Sequence, residues 1–120
     1  MQDLVADAVD VGSELLTGGK RIGETGYFFE PTVLANVPDH AKVMQVEPFG
    51  PLAIVNQVDS LDTAIEQANS VPYGLAAYGF TNRSDYADRM VDRVEAGNLS
   101  INTLEAVSYT HLTLPTTPYV

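Results

Sequence analysis

Hydrophobic positions along the chain fall first into a helical and then into an extended period. Met1, Leu4, Val5 and Ala8 recur at helical spacing, with Asp3, Asp7 and Asp10 between them and Gly12 as a stop. Glu14-Leu15-Leu16-Thr17 reads as a short strand running into Gly18-Gly19, and Gly23 and Gly26 punctuate the next stretch. The aromatic and β-branched stretch from Tyr27 through Phe28, Phe29, Thr32 and Val33 to Leu34 favours extended structure, with Pro31 arguing for an edge or a bulge. Past a turn at Pro38-Asp39, residues 40–44 predict one helical turn. The continuous apolar run that opens at Leu52-Ala53-Ile54-Val55 predicts a strand over residues 52–58, covered on both faces.

The second half alternates more regularly. Asp59 or Ser60 is placed to cap a helix whose apolar positions Leu61, Ala64, Ile65 and Ala68 face one way and which ends before Pro72. Residues 75–80 read as a buried strand in which Gly79 allows a neighbouring backbone to come close. Asn82 or Ser84 then caps a helix with Ala87, Met90, Val91 and Val94 inward, an Asp85–Arg89 pair outward and Gly97 as its stop. Leu99-Ser100-Ile101-Asn102 is a further strand. Strand, helix, strand, helix, strand predicts an α/β fold with a parallel sheet, and such sheets place ligands at the carboxyl ends of their strands. After Glu105 the texture changes, because residues 107–120 carry no Asp, Glu, Lys or Arg and no period survives. An unstructured terminus is predicted there.

Composition narrows the chemistry. A chain of 120 residues allows one modest core, a domain or a piece of one. The formal charge of −10, from sixteen acids against six bases, argues against nucleic acid and anionic membrane as partners, since phosphate binding needs clustered Lys and Arg. The acids are scattered without a run, which reads as a solubilising surface rather than a metal site. No stretch is apolar enough to span a bilayer and the start carries acids, so a cytoplasmic location is expected. There is no cysteine, hence no disulfide, no thiolate metal ligand and no thiol nucleophile in this chain.

One constellation carries chemistry. In Val46-Glu47-Pro48-Phe49-Gly50-Pro51 a carboxylate and an aromatic ring stand two residues apart just ahead of a strand, with Pro and Gly fixing the turn. A carboxylate there is able to accept both hydroxyls of a ribose; the plainer alternative is a strand-entry turn with a solvated Glu and a core Phe. Gly18-Gly19-Lys20 lacks the spacing of a phosphate-binding loop and reads as a turn.

The Glu47-Pro48-Phe49-Gly50-Pro51 segment resembles the Glu-x-Phe-Gly-Pro signature of the NAD(P)-dependent aldehyde dehydrogenases. Three further segments resemble that family in order: residues 26–34, residues 69–77 and residues 96–102. The resemblance runs to about Ala106, which implies a partial aldehyde dehydrogenase catalytic domain over residues 1–106, with residues 107–120 outside it. It implies an oxidoreductase that converts an aldehyde to a carboxylic acid with NAD or NADP through a cysteine thiohemiacetal. The same resemblance implies, as an expectation, a homo-oligomer for the longer parent. Glu47 is then similar to the residue that holds the nicotinamide ribose and Phe49 to the ring beside the nicotinamide. Asn102 is similar to the strand end lining the aldehyde pocket, although a strand-terminating Asn reads equally well. The wording of residues 97–102 is similar to semialdehyde dehydrogenases, such as those acting on succinic semialdehyde. The family's cysteine, general base and dinucleotide fold have no counterpart here, so the isolated chain is expected to be inactive. The competing class is a non-catalytic acidic α/β binding or assembly module.

Overall fold

The computed structural model describes residues 1–105, so the predicted terminus over residues 107–120 lies outside the described residues. The chain divides into two compact units, Met1–Gln57 and Val58–Val120. The first is built from helix α1 (Gln2–Asp10), strands β1 (Glu14–Thr17) and β2 (Thr32–Ala35), the short helix α2 (Lys42–Gln45) and strand β3 (Leu52–Val55). The second contains α3 (Leu61–Ala68), β4 (Ala76–Gly79), α4 (Ser84–Arg93) and β5 (Asn98–Ile101).

In the first unit β2 is the central strand, antiparallel to β1 and parallel to β3. The β2–β3 register aligns Thr32 with Leu52 and Ala35 with Val55, while the β1–β2 pairing slips between Leu15 and Thr17. The strand begins only after Pro31, so the proline sacrifices no ladder hydrogen bond and needs neither an edge nor a bulge. Leu34 and Thr32 point to the core side of β2. Leu34 is fully buried with Ala8, Val37, Ala41 and Val43, and Leu4, Val11, Leu52 and Ile54 pack around them. Truncating Leu34 to Ala in such a setting costs about 2–5 kcal/mol. β3 is shorter than the sequence predicts and alternates half-buried with exposed positions, because only one of its faces meets this core.

The Gly18-Gly19 turn wraps onto the start of β2. Gly18 has φ +75, and a Cβ there would lie 2.2 Å from the Pro31 carbonyl oxygen, so no other residue fits without displacement. Thr32, buried and polar, is satisfied at both ends: its Oγ1 accepts the Gly19 N–H at 2.8 Å and donates to the Glu30 carbonyl at 2.8 Å.

In the second unit β4 and β5 are parallel, Ala76 opposite Asn98 and Gly79 opposite Ile101. The parallel pairing that the alternation predicts is therefore found between β4 and β5, whereas β3 belongs to the first unit's sheet. Ser60 caps α3, its Oγ accepting the Thr63 N–H at 3.1 Å. α4 differs from its prediction in its cap, in its ion pair and at its C-terminal end, where it closes at Val94, short of Gly97. Arg83 is its N-cap and gives no side-chain cap, and Arg89 pairs with Asp62 of α3 instead of Asp85. Asp85 is taken by Arg83, which stacks on Tyr86 at 3.8 Å from the ring centroid. Val91 is exposed, leaving Met90 as the buried residue of the helix. What comes close to Gly79 is the Met90 thioether, 2.6 Å from where a Cβ would stand, and not the backbone expected from the sequence.

Candidate functional site in the turn before β3

The turn carrying Glu47 and Phe49 is held at both ends. On one side, α2 closes with the Val46 N–H on the Lys42 carbonyl at 3.0 Å. On the other, the Pro51 carbonyl accepts the Thr32 N–H at 2.8 Å and the Leu52 N–H returns to the Gly50 carbonyl at 2.8 Å, so the chain enters the parallel ladder with its register set. Two prolines fix φ within the same few residues. Glu47 and Phe49 themselves project from this anchored segment. Glu47 is exposed and, among the described residues, enters no ion pair, which leaves both carboxylate oxygens available as acceptors. Phe49 is 84% exposed, so the expectation of a core phenylalanine in a plain turn does not hold.

Phe49 forms one wall of an open cleft of about 360 Å³ inside the first unit, whose other walls include Met1, Arg21, Tyr27, Phe28 and Phe29. Arg21 braces the loop behind these rings, its Nη2 donating to the carbonyls of Gly26 at 2.7 Å and Glu24 at 3.2 Å. Sequence reasoning reads the aromatic run only as strand. It misses Arg21, because an arginine bonded to loop carbonyls leaves no pattern in a sequence.

Asn102 lies in the second unit, immediately after β5, with φ +58. Its side-chain amide is engaged at both ends by one residue: Oδ1 accepts the Thr81 N–H at 2.8 Å and Nδ2 donates to the Thr81 carbonyl at 2.9 Å. The first unit repeats the device. Asn56, immediately after β3, accepts the Val37 N–H at 2.8 Å and donates to the Val37 carbonyl at 2.9 Å. In each case the asparagine follows the later strand of a parallel pair and grips the residue two beyond the end of the earlier one. Asn69, first residue of the third segment that carries the resemblance, makes a related clamp on the end of α4, donating to the Arg93 carbonyl at 2.7 Å and accepting the Glu95 N–H at 2.9 Å.

A shared ion pair lies between α3 and α4, where Arg89 and Arg93 both donate to one oxygen of Asp62. Those hydrogen bonds, Arg89's first, hold the Asp62 carboxyl below the ordinary carboxylate range. Among the described residues no cluster of His, Asp or Glu is placed to hold a metal ion, and no helix is long and apolar enough to cross a membrane.

A sequence model of the aldehyde dehydrogenase family matches residues 1–114. The chain belongs to the aldehyde dehydrogenase family. Members of this family are oxidoreductases that use NAD(P), and the resemblance read from the four segments is thereby shown. Over 102 residues the chain is 46% identical to 4-(hydroxymethyl)benzenesulfonate dehydrogenase TsaD1 of Comamonas testosteroni, covering 85% of this chain and 21% of that protein. It is 40% identical over 99 residues to a succinate-semialdehyde dehydrogenase of Paenarthrobacter nicotinovorans, covering 82% and 22%. Among solved structures, a 3,6-anhydro-L-galactose dehydrogenase in complex with NAP aligns at TM-score 0.81 and 39% identity over 89% of this chain and 23% of that one. The chain thus spans about a fifth of the length of the curated relatives it matches.

Proposed function

We propose that this chain supplies the cofactor-facing turn of an aldehyde dehydrogenase that oxidises an aldehyde to a carboxylic acid, with Glu47 and Phe49 positioning the nicotinamide end of NAD or NADP. The observation that carries this reading is the pairing, on one anchored turn, of an unpaired carboxylate with an exposed ring. The cofactor, when bound, accepts the hydride. Glu47 accepts hydrogen bonds from the two ribose hydroxyls, which fixes the sugar, and Phe49 limits the tilt of the attached ring by packing against it. Asn102 is read as a strand-end clamp near the start of the loop lining the aldehyde pocket, since both ends of its amide are spent on Thr81. A semialdehyde is the favoured substrate class on the wording of residues 97–102, and the similarity to a succinate-semialdehyde dehydrogenase supports it. We also propose that the longer parent is a cytoplasmic homo-oligomer, on the strength of the family resemblance alone.

The test is a chimera. Residues 1–105 replace the corresponding part of the succinate-semialdehyde dehydrogenase of Burkholderia pseudomallei, whose structure aligns at TM-score 0.81 with 36% identity. Glu47→Gln in that chimera exchanges charge-assisted for neutral hydrogen bonds, a loss of about 1–2 kcal/mol, and slows single-turnover hydride transfer about tenfold. An unchanged rate would return Glu47 to the role of a solvated turn residue. The 120-residue chain by itself, lacking any thiol, is expected to give no NAD(P)H from aldehydes.

A further inference from the structure

We propose that Asp7 of α1 is a positioning residue for the turn bearing Glu47 and Phe49, acting through α2; this rests on the cofactor reading of those two residues. α2 is four residues long, too short to persist on its own hydrogen bonds. Its N-cap, Ala41, has extended backbone and no side-chain acceptor to offer the first N–H groups. The missing cap comes from 35 positions earlier in the chain: Asp7 Oδ2 accepts the Lys42 N–H at 2.8 Å, while Oδ1 stands 3.7 Å from the Lys42 ammonium. A carboxylate at the start of a helix meets both an orphan donor and the positive end of the dipole.

Asp7 is held firmly enough to serve as a reference point. Its side chain is 21% exposed, and it lies between Val5 and Ala8, the two buried residues of α1. The N-cap residue of the same helix reaches the far side of the turn, because the Met1 side chain packs where a Cβ on Gly50 would come within 2.7 Å. α1 and its N-cap residue therefore meet the segment 42–50 at its first N–H through Asp7 and at its last residue through Met1, with Glu47 and Phe49 between the two contacts. A displacement of the capped end shifts both side chains together, and positioning of a cofactor is sensitive to shifts on the order of 1 Å.

Amide hydrogen exchange and nitrogen–proton spectra of the full 120-residue chain test this. In Asp7→Ala the Lys42 amide should lose about tenfold to hundredfold protection and the resonances of residues 46–50 should move, while the β2 and β3 amides keep their protection within about twofold. Asp7→Asn retains an acceptor oxygen and should restore most of the Lys42 protection. Unmoved resonances at residues 42 and 46–50 in Asp7→Ala, or protection lost evenly over the first unit, would overturn the proposal. If Asp7→Ala does not fold, Lys42→Pro decides, since proline suits the first helical position while deleting the capped donor: movement confined to residues 46–50 supports the brace, and none overturns it. Glu47→Gln leaves the α2 amides unchanged under this proposal. The cofactor reading, judged by hydride transfer in the chimera, therefore fails or stands independently of the brace.

Discussion

Replacing Asn102 with alanine separates a strand-end clamp from a substrate contact. The side chain makes two hydrogen bonds to the Thr81 backbone, at 2.8 and 2.9 Å, and the residue itself sits at φ +58. Two such bonds are worth together about 1–3 kcal/mol. Placing alanine in the left-handed region adds roughly 1 kcal/mol, a penalty that asparagine partly escapes. The expected loss is about 2–4 kcal/mol, which with a urea m-value of about 1.5 kcal/mol/M lowers the midpoint of the second unit by roughly 1.3–2.7 M. Asn102→Gly keeps the backbone conformation and loses only the hydrogen bonds, so its loss should be smaller by the backbone share. Urea melts followed by circular dichroism measure the midpoints, and amide exchange at Thr81 reports the local bond. A midpoint within about 0.2 M of the parent chain in Asn102→Ala, with Thr81 still protected, would refute the clamp and leave Asn102 free for a role in the pocket.

Gly18→Ala should destabilise the first unit by about 2 kcal/mol or more, read by the same melts, because the added methyl meets the Pro31 carbonyl at a positive φ. The Asp62 carboxyl is held low by Arg89 and Arg93, so its contribution is present above the unfolded value near 3.8 and is lost as pH falls through the lower folded value. The midpoint gap between the parent chain and Asp62→Asn should therefore be widest above about pH 4 and close toward about pH 2; a gap constant across that range would dissociate Asp62 from the arginines.

Much of the local structure is legible in the sequence because it depends on near neighbours. The stop at Gly12, the strand Glu14–Thr17, a cap at Asp59 or Ser60 and the helix ahead of Pro72 all follow from period and punctuation, and the structure places them so, with Ser60 as the cap. What escapes depends on partners far along the chain. Helical spacing pairs Arg89 with Asp85 four residues away, but Asp62, 27 residues away, offers an oxygen shared with Arg93, and Asp85 is occupied by Arg83. Pro31 suggests an edge or a bulge for β2, yet the strand starts one residue later and is paired on both sides, and the register slip of this pairing falls in β1 between Leu15 and Thr17. At the candidate site Glu47 and Phe49 are legible from the motif, whereas the cleft wall of Arg21 and the Asp7 cap are not: Arg21 bonds loop carbonyls three and five residues on, which no period or motif marks, and Asp7 reaches a backbone N–H 35 residues away.

A side-chain amide has the same donor and acceptor as a peptide group, so Asn56 and Asn102 each act as a peptide surrogate that adds one rung to a four-residue ladder. The main chain is thereby released from extended geometry one residue early. At Asn102 it uses that release at once, turning into the left-handed region while the strand ends remain fastened. A loop leaving such a point can change length or composition without loosening the sheet behind it, so the fold separates the part that must stay rigid from the part that is free to diversify.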